Sequence, residues 1–177
     1  MNERDAIALL RAAVSDAEGQ MWADLGAGTG LFTRALAAMV GAAGHVHAAD
    51  AEAVALRVLC SWIASAGAAN VSVTQGDVSR PLALPPLDGV LMANVLHFIP
   101  DQPAVLSLAA SYLRPGGQLV LIEYEGRRPG RWVPYPVSIA RFRELAPAAG
   151  LAAPEVVAMR PSAFGGDLYV ARAARTG

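Results

Sequence analysis

The chain has 177 residues, 54% of them hydrophobic, enough to bury one sizeable core and to predict a single domain over 1–177. Its formal net charge is -1 and its 14 basic residues are all arginine, so no global positive field points to nucleic acid or to an acidic membrane surface. One cysteine, Cys60, excludes a disulfide framework or a thiolate metal site within the chain and fits a reducing, cytoplasmic setting.

The N-terminus carries Glu3 and Asp5 where a secretory leader would be basic, and the apolar run behind them is broken by Arg11 and Asp16, so no targeting segment is expected. No window approaches the ~20 uninterrupted apolar residues that cross a bilayer, and no membrane role is expected. Ile7, Leu10 and Val14 recur at helical spacing until Gly19, predicting an amphipathic helix within 1–19. Met21 to Leu25 then runs as a strand into glycines, and Leu31, Phe32, Ala35, Leu36 and Met39 form a helical stripe that stops at Gly41. The alternation continues with a strand from His45 to Ala49, a helix from Glu52 to Ala66 and a strand from Val71 to Gln75. Beyond Pro81, Pro85 and Pro86 come a buried strand from Leu87 to Ala93 and a helix from Gln102 to Leu113. Pro115-Gly116-Gly117 then reads as a helix stop and sharp turn into a strand from Gln118 to Tyr124. Strands and helices in strict alternation form an α/β, doubly wound, mostly parallel sheet with helices on both faces.

The last third differs. Residues 125–137 are rich in Gly, Pro and Arg and read as a long loop, followed by a helix from Ile139 to Ala149. The final runs, Glu155 to Met159 and Asp167 to Ala171, are too close for a crossover helix and are expected to pair antiparallel at one edge, with Gly165-Gly166 in the turn between them.

The most informative segment is Asp24-Leu25-Gly26-Ala27-Gly28-Thr29-Gly30. It follows a strand and opens a helix, which places it at the carboxyl edge of the parallel sheet, where ligands bind. Its spacing is G-x-G-x-G; the dinucleotide pattern needs a third glycine where Leu31 stands, and the Gly-Lys-Ser/Thr ending of a nucleoside triphosphate cradle is absent. Four later stretches join it: Asp50 after the second strand, Gly76-Asp77-Val78 after the third, Asp88 to His97 around the fourth, and Tyr112 to Leu119 before the fifth. Across nearly its whole length the chain resembles a class I, seven-stranded, Rossmann-like S-adenosylmethionine-dependent methyltransferase.

The resemblance implies S-adenosylmethionine as methyl donor and S-adenosylhomocysteine as its product, with Asp24, Gly26, Ala27, Gly28, Asp50, Ala51, Gly76, Asp77, Val78 and Asn94 at the donor. Glycines let the backbone approach the donor's amino-acid moiety, since no Cβ intrudes. Asp24 suits an ammonium and would repel a pyrophosphate. Asp50 stands where an acidic residue accepts ribose hydroxyls, the alternative being an acid at the start of the next helix. In the family pattern Asp77 accepts from the adenine amino group and the Val78 backbone serves a ring nitrogen; a plain turn is the alternative for Asp77. Asn94 shapes the donor pocket, and without a following Pro-Pro-Tyr or Pro-Pro-Phe it gives no support to a nucleic-acid base as acceptor.

Methyl transfer from a sulfonium needs alignment and exclusion of water, and a base only when the acceptor must lose a proton. Candidates at the carboxyl edge are His97 and either Glu123 or Tyr124, since alternation turns only one of the last two to the site; structural hydrogen bonding is the alternative for each. In the loop, Trp132 and Tyr135, with Arg127, Arg128, Arg131 and, just beyond, Arg141 and Arg143, suggest an acceptor lid for an anionic or aromatic group, against the alternative of solvated arginines. His45 and His47 alternate along a strand but lack a third metal ligand. The reading is methyl transfer to a small-molecule acceptor held by the N-terminal helix, His97 and the segment around Trp132. Its rivals are a non-catalytic S-adenosylmethionine-binding regulatory or partner subunit and a nicotinamide oxidoreductase.

Overall fold

Each helical stripe and apolar run of the sequence becomes an element in a computed structural model of the chain, which describes residues 1–14, 17–162 and 165–177. The break at Asp16 and the residues preceding Gly165 in the last turn lie outside the described residues. Helix α1 (Glu3–Ala13) is opened by a capping box: the Asn2 side chain accepts the Asp5 N–H, and the Asp5 carboxylate accepts the Asn2 N–H. It buries Ala6, Leu9, Leu10 and Ala13 and ends well before the expected Gly19. There follow β1 (Met21–Leu25), α2 (Leu31–Val40), β2 (His45–Asp50), α3 (Ala53–Ala66), β3 (Val71–Gln75) and β4 (Leu87–Ala93). A single 3-10 turn at Leu96–Phe98 precedes α4 (Gln102–Ser111), β5 (Leu113–Glu125), α5 (Ile139–Ala148), β6 (Glu155–Pro161) and β7 (Asp167–Ala174).

The seven strands form one sheet in the order β3-β2-β1-β4-β5-β7-β6. The first five are parallel; β7 runs antiparallel to β5, and β6 antiparallel to β7 at the edge. The doubly wound sheet and its antiparallel edge hairpin are as the alternation requires. One start differs: β5 begins at Leu113, which pairs with Leu87, and the next pairing is Gly89 with Gln118. Pro115-Gly116-Gly117 is thus a turn that bulges out of a strand already begun, with Gly116 at φ 76°. Arg114, at the start of that excursion, pairs with Asp88, whose other oxygen accepts the Met21 N–H at 2.7 Å.

Apolar side chains fill both faces of the sheet. On one, Leu25, Leu96, Leu106, Phe142 and Tyr169 pack beneath α4 and α5; on the other, Leu10, Trp22, Leu36, Val120 and Val170 pack beneath α1 and α2. β4 is buried along its whole length except at Ala93, so its carboxyl end is fixed from both sides. That rigidity matters for the residues that follow it.

Candidate active site

Strands β1 and β4 lie side by side, yet the chain leaves β1 toward β2 and leaves β4 toward β5. Such a switch point opens a crevice beyond the carboxyl ends of the strands, the place where open α/β sheets bind ligands. The glycine loop and Asp50 form one side of it. Asn94, the turn at Leu96–Phe98, the end of β5 and the loop 126–138 form the other.

Gly26 and Gly28 adopt φ of 84° and 54°, which only glycine enters freely. A Cβ on Gly26 would stand 2.4 Å from Val95 Cγ2, whereas one on Gly28 would meet nothing within 4 Å. Gly26 is thus needed for packing against the β4 side, and Gly28 leaves open space above the loop. The loop amides turn inward: Gly26 and Ala27 N–H donate to the Ala49 carbonyl at 2.8 and 3.0 Å, and Gly28 N–H donates to Asp50 Oδ2 at 2.7 Å. β2 clamps the turn, so what it offers a ligand is the open backbone surface at Gly28, beside only the small Ala27 methyl, more than a cradle of amides. The second Asp50 oxygen accepts the Glu52 N–H at 2.8 Å, so the same carboxylate holds the loop and the start of α3. Each oxygen keeps a further lone pair.

Asp24 is buried at the end of β1. Its Oδ2 accepts the Thr33 hydroxyl at 2.6 Å, and its Oδ1, equally buried, has no partner among the described residues. Burial pushes this carboxyl up to about 6; the Thr33 hydrogen bond opposes the rise and the Asp50 charge adds to it. A buried carboxylate with one unmet oxygen is incomplete without a donor or cation.

Beyond β3, Gly76 N–H donates to the Asp50 carbonyl at 2.9 Å. Asp77 is in contact with water, and its Oδ1 accepts the Ser79 hydroxyl and N–H at 2.6 and 2.9 Å, with Arg80 Nε 3.8 Å from Oδ2. The Ser79 bonds hold its carboxyl below the usual carboxylate range. This is a side-chain-closed turn. Val78 packs into the core beneath it, and the Ala51 carbonyl accepts from Gln75 Nε2 at 3.2 Å.

On the other side Asn94, at φ 57°, is the one non-glycine with positive φ among the described residues. Its N–H donates to the Ile122 carbonyl at 2.8 Å, while its buried Oδ1 has no described partner. His97 and Glu123, 26 residues apart, form a buried pair: Nδ1 lies 2.7 Å from Oε2, and the His97 N–H donates to Oε1 at 3.1 Å. A carboxylate only accepts, so in the neutral imidazole the ring proton sits on Nδ1 and Nε2 keeps its lone pair. Glu123 is fully enclosed behind His97, and Tyr124, on the opposite side of the strand, faces the crevice; both reach His97, whose ring lies 5.8 Å from that of Tyr124. Burial, then the Glu123 charge, raises the Tyr124 phenol, against the lowering effect of Arg127.

His97 opens into a cleft of about 580 Å³ lined also by Asn94, Phe98, Tyr124, Arg127, Trp132 and Val133. Trp132 is presented by a tight turn in which Gly130 and Val133 exchange hydrogen bonds at 3.1 and 3.2 Å. The loop is tied down at Tyr135, whose N–H donates to the His97 carbonyl at 2.9 Å and whose carbonyl accepts from the buried Gln102 Nε2 at 2.8 Å. The Tyr135 side chain is not part of the cleft wall. From the N-terminal helix region, Met1 reaches a small adjoining cavity beside Asn94 and Tyr124. Thr33 and Phe98 have no signature in the sequence pattern, whereas Arg127 belongs to the arginine-rich loop read there as an acceptor lid. His45 and His47 are neighbours on β2 with ring centroids 4.7 Å apart, His45 Nε2 and His47 Nδ1 each 3.0 Å from the Ser72 hydroxyl.

A family profile described as a methyltransferase domain matches residues 23–117. An arsenite methyltransferase of Aquipseudomonas alcaligenes is 36% identical over 114 residues, covering 59% of this chain and 33% of the relative, so the chain spans about a third of the length of that curated relative. Among solved structures, an arsenic(III) S-adenosylmethionine methyltransferase from Chlamydomonas reinhardtii superposes with a TM-score of 0.72 at 21% identity, over 99% of this chain and 73% of the other. A Haemonchus contortus phosphoethanolamine N-methyltransferase in complex with phosphomonomethylethanolamine and S-adenosylhomocysteine superposes at 0.81 and 16% identity, over 98% and 53%.

Proposed function

Because the chain belongs to the methyltransferase-domain family of class I, S-adenosylmethionine-dependent enzymes, we propose that it transfers a methyl group from S-adenosylmethionine to a small-molecule acceptor. The observation that carries this reading is the buried Oδ1 of Asp24, unpartnered among the described residues, beside the glycine turn with its open space at Gly28. An ammonium completes that oxygen, and an amino-acid chain fits the surface at Gly26, Ala27 and Gly28. The spare lone pairs of Asp50 suit ribose hydroxyls, while Asp77, Val78 and the neighbouring Ala51 and Gly76 backbone border the place for the base. When bound, the donor supplies an electrophilic methyl on a sulfonium that is already an activated leaving group.

The chain's own work is then to orient the acceptor, exclude water and take a proton. We assign proton acceptance to His97 Nε2 and its positioning to Glu123, which fixes the ring's tautomer and faces the charge that forms on it. Trp132 lines the acceptor side, and Tyr135 acts there through its main chain. Arsenite, the substrate named for the relative, is a poor match here: a thiophilic centre wants convergent thiolates, and the one cysteine, Cys60, is exposed on α3. That lone thiol and the near-zero net charge favour a cytoplasmic setting without nucleic-acid partners; no described helix is long and apolar enough to cross a membrane.

Calorimetry with S-adenosylhomocysteine tests the donor half. The expected result is saturable binding that Asp24→Ala abolishes; absence of binding, or retained affinity in the variant, overturns it. Donor turnover against a metabolite panel tests the transfer itself.

A further inference from the structure

We propose that the cleft beside His97 takes a flat, hydroxylated aromatic acceptor, lying against Phe98, Tyr124 and Trp132 with its phenolic oxygen at His97 Nε2. This names the acceptor class for the methyl-transfer reading and rests on it.

The walls select the ring. Trp132 is 73% exposed and Phe98 51% exposed although both line a concave cleft, so each ring keeps open surface beyond the contact it already makes, Trp132 with the Arg131 guanidinium 5.5 Å from its centroid and Phe98 with His97. Uncovered aromatic surface on this scale is favourable to cover, and offset or edge-to-face stacking adds to the gain for another ring. Both faces are tied to the base. Phe98 follows His97 in the 3-10 turn with ring centroids 4.3 Å apart, and the Trp132 turn is anchored to the His97 carbonyl through Tyr135. A volume of about 580 Å³ admits one or two fused rings with substituents.

The polar groups select the hydroxyl. Among the described residues no carboxylate lines the cleft, because Glu123 is enclosed with both oxygens on His97. A cationic amine therefore finds no counter-charge there. A carboxylate acceptor arrives already ionised and leaves the His97–Glu123 pair with nothing to do. A hydroxyl needs that pair, and of hydroxyls the phenolic kind, with a pKa of about 10, is within reach of an imidazole base. The O–H bond breaks with its electron pair remaining on oxygen, the proton bonds to Nε2, and the Nδ1 proton stays on its bond to Glu123.

The probe is 2-naphthol, added to the protein saturated with S-adenosylhomocysteine. The expected result is saturable quenching of tryptophan fluorescence and, with S-adenosylmethionine in place of the product, conversion of 2-naphthol to its methyl ether. Trp132→Ala, at an exposed turn tip, lowers affinity by about tenfold or more. His97→Gln retains binding and loses turnover by on the order of 10²-fold or more. Equal affinity for the saturated analogue decahydro-2-naphthol overturns the aromatic assignment, and turnover that His97→Gln leaves unchanged overturns the role of Nε2. If S-adenosylhomocysteine binds and 2-naphthol does not, this inference fails while the methyl-transfer reading stands; if S-adenosylhomocysteine itself fails to bind, that reading falls.

Discussion

Donor affinity is expected to fall as pH drops through about 6, because the protonation of one buried carboxyl opposes it. Asp24 lies at about 6 in the folded chain against an ordinary 3.8. Between those values the folded protein holds a proton that the unfolded chain releases, so the donor-free protein loses stability as pH rises through this window. At RT ln 10 for each pH unit, the ionised carboxylate costs the folded state about 3 kcal/mol above pH ~6. A bound ammonium at Oδ1 reverses the balance, since it interacts with the ionised form only. Binding at about pH 6 should therefore expel about half a proton, and affinity should fall up to about tenfold for each pH unit below that point. Calorimetry of S-adenosylhomocysteine in two buffers of different ionisation enthalpy measures both quantities. Asp24→Asn keeps an acceptor for the Thr33 hydroxyl and removes the charge. Its donor-free form should be more stable than the parent at alkaline pH by up to about 3 kcal/mol, yet gain no stability from S-adenosylhomocysteine. Affinity that is flat across this range, or an Asn variant whose stability varies with pH as the parent's does, would refute the reasoning.

Glu123→Gln can still accept the His97 N–H through its amide oxygen, but its amide nitrogen donates to Nδ1 and drives the ring proton to Nε2; turnover should fall by on the order of 10²-fold or more with S-adenosylhomocysteine affinity unchanged, and nitrogen NMR of the imidazole reads the tautomer. Gly28→Ala and Gly26→Ala should separate two kinds of loss. The first places its methyl in open space at a left-handed backbone, costing stability about 1 kcal/mol while weakening donor affinity more. The second collides with Val95 and should cost stability by several kcal/mol in urea unfolding. Tyr169→Phe removes the hydroxyl that donates to the Val137 carbonyl at 2.9 Å, and denaturation should register a loss of about 1–3 kcal/mol without any change in donor affinity.

What was legible in the sequence follows from range. The strand, glycine turn and helix from Met21 to Val40 are local, and the alternation of apolar runs determined the sheet and its antiparallel edge before any contact was known. The role of Thr33 was not legible, because its hydroxyl returns nine residues to Asp24 only once α2 is wound. Likewise His97 and Glu123 were separate candidates; that they form one pair depends on the register that sets Ala93 opposite Ile122. Alternation correctly put Glu123 and Tyr124 on opposite faces, but it carries no information about the 3-10 turn that lets His97 touch both. Residues 125–137 read as loop on composition, and their tether at Tyr135 is made by main-chain atoms, which leave no residue-type signature.

That tether separates the hinge of the acceptor wall from its lettering. The bonds from Tyr135 to His97 and Gln102, and those closing the turn between Gly130 and Val133, use backbone groups on the loop side, so they survive replacement of Arg131 or Trp132 at the tip. Changes of acceptor preference can thus accumulate at two or three exposed side chains while the base keeps its alignment. Conversely, any ligand that pulls the loop inward draws on the carbonyl of the histidine that serves it, making the fit of the acceptor and the placement of the base a single mechanical variable.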